Sequence, residues 1–305
     1  PHCIQQPEGY HAFMPPPLSP ALPIDWEIAN LLSEADRAVA ELSGAGRLLP
    51  NPHLLIRPYL RREAVLSSLI EDTYAEVDEL LMLEADPSEK PARPSIMEVA
   101  NHVQALEDGL NILETLPIST RLITQLHATL LASVRGGESS KTPGEFRRSQ
   151  NWIGRPGSTL KTATFVPPPP HELSACLSAW EKYLHEDSEE PHLVKIALLH
   201  YQFEAIHPFL DGNGRIGRLL ITLYLCASGV LSQPLLFLSS YFEQYRDDYY
   251  RRLLAVSTEG AWLGWLRYFL TGVRMTAQTA LADTHALVDL YHHYRGIMDQ
   301  AKRMA

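Results

Sequence analysis

Apolar residues recur every three or four positions along most of the chain, which is the spacing of amphipathic helices. The first such segment follows Asp25, a residue suited to cap a helix, and ends at Gly44 or Gly46. After a connector punctuated by Pro52 and Pro58, the pattern resumes and predicts one continuous helix over 64–81. The first quarter of the chain is therefore predicted to be helical.

The same spacing predicts further helices along the rest of the chain, separated by proline-rich and glycine-rich loops at 87–95 and 136–144. The segment 219–226 is apolar nearly all round, so its helix belongs at the centre of a core. The predicted helices cover 96–113, 119–134, 171–184, 192–205, 216–226, 241–258 and 262–288, with a tail helix reaching towards residue 305.

Two segments depart from this helical pattern. Residues 1–25 are rich in proline among small and polar residues, which predicts an extended arm without regular structure. Short β-prone runs at 151–153 and 163–166 are separated by glycine and proline, which predicts a hairpin or an extended flap. Four prolines at 167–170 end that segment.

Composition limits the classes of function. The 305 residues carry a formal net charge of −10, which argues against a general nucleic-acid or anionic-membrane surface. Three scattered cysteines fit neither a disulfide framework nor a metal cluster, so we expect a reducing compartment, the cytoplasm. The longest apolar run, 219–231, is too short to span a bilayer.

The chemistry of the chain is concentrated between His207 and Arg218, between two predicted helices. A glycine-rich loop at a helix N-terminus offers free N–H groups to an anion, and Asn213 is placed to cap that helix or to donate to a phosphate. Arg215 and Arg218 lie three residues apart, so both can bind one polyphosphate. Asp211 suits Mg²⁺ that bridges phosphate oxygens, and His207 suits a general base at neutral pH.

A dinucleotide-binding interpretation of the glycines fails on context. Residues 212–217 match G-x-G-x-x-G, but that fingerprint needs a preceding strand and an acidic residue about twenty positions later. Here the preceding segment is helical in pattern, and no Asp or Glu occurs between Asp211 and Glu243. We interpret three other histidines as structural: His102, His127 and His200.

The stretch H-P-F-L-D-G-N-G-R-I-G-R resembles the signature of the Fic family, H-P-F-x-[DE]-G-N-G-R-x-x-R, at every fixed position. Fic proteins are all-helical and mostly transfer AMP from ATP to a hydroxyl side chain of a target protein, releasing pyrophosphate. The resemblance implies that His207 is the general base, Asp211 the Mg²⁺ ligand and Phe209 the core anchor of the loop. It also implies an anion-binding loop with two phosphate-binding arginines, made of Gly212, Asn213, Gly214, Arg215 and Arg218.

Two further segments resemble parts of that family. Residues 163–170 resemble its flap, which pairs with an extended stretch of target through Thr164, Phe165 and Val166. Residues 241–250 resemble its nucleoside side, here represented by Tyr245, Tyr249 and Tyr250. Tyr245 stands where the family often has an asparagine near the adenosine, which leaves the base preference open.

Residues 67–71 resemble the family's inhibitory motif [ST]-x-x-x-E-[GN]. From spacing alone, Ser67 and Glu71 share one helix face, and Glu71 would be an ordinary solvated carboxylate. The resemblance instead implies that Glu71 pairs with Arg218 in the place of the γ-phosphate. Asp72 departs from the usual Gly or Asn.

These observations predict an all-α, Fic-type helical bundle with a short β-hairpin flap. The predicted divisions are an arm and helix (1–50), a helical region with the inhibitory motif (51–115), the Fic core (116–275) and a tail helix (276–305). The predicted function is an autoinhibited protein adenylyltransferase that uses ATP and Mg²⁺ to modify a Ser, Thr or Tyr hydroxyl of a target protein or of itself, and it is compatible with a homodimer. Transfer of another phosphate-linked group, removal of AMP, and a non-catalytic nucleotide-sensing module stay open as alternatives.

Overall fold

Helices dominate the computed structural model, which describes residues 3–49, 52–86, 93–134 and 141–304. The predicted all-helical class is therefore confirmed. The helices in those ranges are α1 (Trp26–Arg47), α2 (Pro52–Ile70), α3 (Val77–Ala85), α4 (Pro94–Leu113), α5 (Thr120–Leu130), α6 (Leu173–His185), α7 (His192–Ile206), α8 (Asn213–Ala227), α9 (Ser239–Gln244), α10 (Arg246–Glu259) and α11 (Trp262–Met304).

The second predicted helix is wrong at both ends. Helix α2 begins at Pro52 and contains Pro58, so these prolines do not mark a connector. It ends at Ile70, because Asp72 adopts a left-handed backbone conformation with φ 56°. The apolar spacing continues into α3, but spacing does not report a change of chain direction between two helices.

Other predicted boundaries also shift. The predicted helix 241–258 is divided into α9 and α10 at Tyr245, whose φ of −117° and ψ of 40° are not helical. Helix α4 already begins at Pro94, and residues 87–92 and 136–140 of the two predicted loops lie outside the described residues. Helix α11 runs unbroken through residue 275, and the division of the chain into regions stays a prediction.

The N-terminal arm contains regular structure, contrary to expectation. Strands β1 (Cys3–Gln5) and β2 (His11–Phe13) pair antiparallel, and Gly9 supplies the positive φ of 84° that the turn between them requires. The flap, in contrast, is reduced to a single antiparallel bridge between Ile153 and Phe165, since the prolines that follow it cannot donate ladder hydrogen bonds.

Helices α7 and α8 form the centre of the core, as predicted for α8, and nearly every residue of both is buried. Trp265 of α11 is fully buried and donates from Nε1 to the carbonyl of Ala197 in α7 at 2.9 Å. Helix α1 packs along α11 on the outside of this core. The turn that joins α7 to α8 is therefore held between two deeply buried helices. Within the described ranges, no helix has the length and apolar character needed to cross a membrane.

Truncating the apolar face of α1 should destabilise the fold. Leu42 is fully buried, so Leu42→Ala should lower the free energy of unfolding by about 2–5 kcal/mol through lost burial and a new cavity. Leu48, at the end of the same helix, is 75% exposed, and Leu48→Ala should change it by less than about 0.5 kcal/mol. Urea denaturation of both variants measures the difference, and equal losses would contradict the packing described.

Candidate active site

His207 ends helix α7 in a left-handed conformation, with φ 49° and ψ 61°. This conformation is costly for a residue other than glycine, so the surroundings must hold it. The His207 carbonyl accepts hydrogen bonds from Arg147 Nε at 2.9 Å and from Asn151 Nδ2 at 3.3 Å. Asn151 also donates to the carbonyl of Phe209 at 2.8 Å, which ties down both sides of Pro208.

The imidazole of His207 is set up as a neutral base. Its Nδ1 lies 3.3 Å from the carbonyl oxygen of Glu204, and because that oxygen can only accept, Nδ1 carries the proton. This leaves Nε2 with a free lone pair. Burial lowers the pKa of His207 to about 4, although the bond to Glu204 and the nearby Glu71 carboxylate oppose the shift. At neutral pH the ring is therefore uncharged.

The side chain of Asn213 stabilises the turn through two hydrogen bonds to the backbone of Phe209. Its Oδ1 accepts from the Phe209 amide and its Nδ2 donates to the Phe209 carbonyl, both at 2.8 Å. Gly212 is the N-cap of α8, so the Asn213 side chain neither caps the helix nor faces a phosphate, and only its backbone N–H remains for an anion. The Phe209 ring is buried and stacks on His127 with centroids 3.7 Å apart.

A carboxylate already lies at the N-terminus of α8. Glu71 Oε1 is 2.9 Å from Arg218 Nη2, and a Cβ placed on Gly214 would lie only 2.2 Å from the same oxygen. Ser67 completes the contact, because its hydroxyl and its carbonyl accept from Arg218 at 2.9 and 2.8 Å. The Arg218 side chain is 1% exposed, whereas that of Glu71 is 36% exposed.

Helix α10 holds the segment that carries Glu71. Tyr250 donates its hydroxyl to the carbonyl of Ile70 at 3.2 Å, and Arg246 Nη1 lies 2.8 Å from Asp72 Oδ1. Residue 72 has the positive φ that glycine and asparagine adopt readily, which accounts for the motif's preference, and the ion pair with Arg246 favours aspartate in their place. Arg246 was not predicted as part of the site, because it is 174 positions from Asp72 and no local spacing links the two residues.

Arg215 and Asp211 form the second charged part of the site. Arg215 Nη1 lies 3.2 Å from Glu98 Oε2 on α4, and its Nη2 lies 3.6 Å from Asp211 Oδ1. Although burial raises the pKa of Asp211, Arg215 and Lys141 bring it below its ordinary value. An ionised, partly exposed carboxylate beside a helix N-terminus fits a Mg²⁺ ion that takes its other ligands from phosphate and water.

The predicted docking edge of the flap contacts the chain's own arm. The Val166 carbonyl accepts from the Phe13 amide of β2 at 2.8 Å, and the rings of Phe13 and Phe165 lie 5.4 Å apart. Thr164 is exposed beside them. A target strand that used Val166 would therefore meet the arm.

The three tyrosines assigned to the nucleoside side separate into two groups. Tyr249 is buried, and its hydroxyl lies 2.8 Å from His200 Nε2, so it belongs to the core and cannot line a nucleoside site. Tyr245 and Tyr250 are each 39% exposed and remain available. The family resemblance of residues 241–250 did not distinguish the buried tyrosine from the two exposed ones, because all three lie within six residues.

Arg147 is a structural link that the sequence did not reveal. It is 3% exposed, and burial lowers its pKa to about 10. Besides the His207 carbonyl, its guanidinium donates to the carbonyls of Pro168 at 2.6 Å and Ser149 at 3.3 Å. One side chain thus joins the turn that carries His207 to both sides of the flap.

Replacing this guanidinium by an ammonium should loosen the flap and the turn together. In Arg147→Lys, amide hydrogen exchange at 149–153, 165–166 and 207–209 should accelerate by on the order of tenfold, while α1 is unchanged. Arg148→Lys is the matched control, since the Arg148 side chain is 87% exposed and pairs with Glu145. Unchanged exchange in Arg147→Lys would contradict the link.

Comparison with known proteins identifies the family that the chain resembles. The Fic/DOC family N-terminal model matches residues 29–111, and the Fic/DOC family model matches residues 117–225, together more than half of the chain. Proteins named protein adenylyltransferase Fic from Drosophila grimshawi and Drosophila ananassae are 34% identical over 152 residues. That match covers 49% of this chain and 27% of each relative, so it spans about a quarter of their length.

Solved structures share the fold. A Fic family protein from Desulfovibrio desulfuricans superposes with a TM-score of 0.67 at 23% identity, covering 88% of this chain and 78% of that one. A Fic domain containing signaling protein from Bacteroides thetaiotaomicron gives a TM-score of 0.63 at 19% identity, with coverages of 85% and 97%. Fic-1 from C. elegans also gives 0.63, at 20% identity, with coverages of 87% and 75%.

Proposed function

The chain belongs to the Fic/DOC family, and from that premise we propose that it is a protein adenylyltransferase restrained by Glu71. The relatives' name, protein adenylyltransferase, supports ATP as the nucleotide and a protein as the acceptor. The observation that carries the proposal is the combination of two features on either side of one backbone turn. His207 before the turn is neutral, and the N-terminus of α8 after it can bind an anion.

In the proposed reaction, the oxygen of a Ser, Thr or Tyr hydroxyl attacks the α-phosphorus of ATP. The new P–O ester bond forms as the bond from the α-phosphorus to the bridging oxygen breaks, and pyrophosphate leaves. Nε2 of His207 takes the hydroxyl proton, which its tautomer and its low pKa permit at neutral pH.

The phosphates would bind at the N-terminus of α8. Free backbone N–H groups there, together with Arg215 and Arg218, supply positive charge to the β- and γ-phosphates. The close approach at Gly214 leaves room for an anion because that residue has no side chain. Asp211 would hold Mg²⁺, which neutralises charge on the phosphate oxygens when bound.

Glu71 restrains this site by occupying it. Its carboxylate rests against Gly214 and pairs with Nη2 of Arg218, and these are the groups proposed for the γ-phosphate. ATP that enters while Glu71 is in place must position its γ-phosphate elsewhere, and its α-phosphorus then loses alignment with the attacking hydroxyl. The ion pair thus lowers the rate of transfer by misaligning the bound nucleotide.

Removal of the carboxylate should therefore raise transfer. With ATP labelled at the α-phosphate, Glu71→Gly and Glu71→Gln should increase label on protein by on the order of tenfold or more over the parent chain. His207→Ala in the Glu71→Gly background should remove the label, and the exposed Asp78→Asn serves as the matched control. Intact mass identifies the group transferred to the chain itself, and strong labelling by the His207→Ala variant would refute the mechanism.

The pH dependence of the Glu71→Gly variant follows from His207. A general base works when neutral and is lost as the pH falls through its pKa, here about 4. Removing the Glu71 carboxylate takes away an influence that raises this pKa. We expect kcat/KM for ATP to be flat from about pH 8 down to about pH 5 and to fall below that. An acid limb with an apparent pKa near 6.5, the ordinary histidine value, would contradict the geometry.

A further inference from the structure

Both carboxylate oxygens of Asp211 are already engaged. Oδ1 accepts from the Gly212 amide at 2.6 Å and lies 3.6 Å from Arg215 Nη2. Oδ2 lies 2.5 Å from the ammonium of Lys141. A metal ion that ligates Asp211 therefore approaches a carboxylate that already holds donors on both oxygens.

Lys141 is the donor that can leave. Its side chain is 25% exposed, whereas that of Arg215 is 3% exposed and is held on its other side by Glu98. The Gly212 amide belongs to the backbone turn that begins α8 and cannot withdraw. A lysine ammonium on a flexible stem can move from one anion to another nearby.

The charges around Asp211 favour an exchange over simple addition. Lys141 and Arg215 face Asp211 and Glu98, so two positive side chains already balance two negative ones. A divalent cation entering alone would meet both positive groups at close range. A metal that arrives with a polyphosphate brings negative charge with it, which gives the displaced ammonium a new partner.

We propose that Lys141 occupies the metal position on Asp211 in the free protein and transfers to the nucleotide phosphates when a metal–nucleotide complex binds. This inference rests on the proposed function, because it takes the phosphates to lie at the start of α8. Lys141 is thus a positioning residue that takes the place of the metal on Asp211 until the metal–nucleotide complex displaces it. Without metal, its ammonium would still attract the phosphates.

The test is the coupling between metal and nucleotide, measured without turnover. A fluorescent, non-hydrolysable ATP analogue is titrated by anisotropy in Mg²⁺ and in EDTA, with every variant in the Glu71→Gly background. The dissociation constant in EDTA divided by the dissociation constant in Mg²⁺ reports the coupling between metal and nucleotide. In Lys141→Met the EDTA affinity should weaken and the Mg²⁺ affinity should hold or tighten, so the ratio should rise by about tenfold.

Three variants control for other causes. Lys141→Arg retains the charge and should keep the parent ratio, and so should Lys182→Met, which removes an exposed lysine on α6. Asp211→Asn should abolish the benefit of Mg²⁺. An unchanged or smaller ratio in Lys141→Met, or a Mg²⁺ benefit that survives Asp211→Asn, overturns the inference.

Failure of this inference can be told apart from failure of the proposed function. Label transfer from ATP with an unchanged coupling ratio in Lys141→Met removes only the role of Lys141. A raised ratio without any transfer retains the metal–nucleotide exchange and removes the adenylyltransferase proposal. Absence of analogue binding in every variant overturns both.

Discussion

A buried guanidinium needs an anion, and this requirement organises the site. Arg218 has a side chain that is 1% exposed, in the second turn of the central helix α8. Leaving such a charge unpaired costs several kcal/mol, in the range of about 3–5 kcal/mol for a broken buried pair. The free protein meets the requirement with Glu71, and the proposed substrate meets it with a phosphate. The proposed inhibition and the proposed substrate binding are thus two ways of neutralising the same buried charge.

The second constraint is the strained turn at His207. A left-handed histidine is retained because Arg147, Asn151 and Asn213 together hold the carbonyls and amides around it. These bonds hold the backbone of the turn, and the Glu204 carbonyl fixes which ring nitrogen can accept a proton. Arg147 extends the same rigidity to the flap, so the positions of the flap and of His207 depend on one side chain.

The sequence predicted the helices well where apolar spacing was long and unbroken, as in α1, α7 and α8. The prediction failed at Asp72 and Tyr245, where one helix ends and another begins while the apolar spacing continues. Periodicity reports which positions are buried and does not report the direction of the chain. The arm was predicted to lack regular structure since prolines dominate it, yet a turn at Gly9 and burial of Phe13 suffice for a small hairpin.

Within the site, the signature stretch supplied most of the chemical groups, because the family resemblance is carried by contiguous residues. What it did not supply were the partners from distant segments. Glu98, Lys141 and Arg246 form ion pairs across long sequence separations, and nothing in their local surroundings marks them. Tyr249 illustrates the opposite error, since a residue inside a family segment proved to be part of the core.

The central claim is that Glu71 and a γ-phosphate compete for Arg218, and a comparison of ADP with a non-hydrolysable ATP analogue tests it most directly. Calorimetric titration of both ligands into the parent chain and into Glu71→Gly should show an affinity gain for the ATP analogue that exceeds the gain for ADP by about tenfold. Equal gains for the two nucleotides, or no gain for either, would contradict the account.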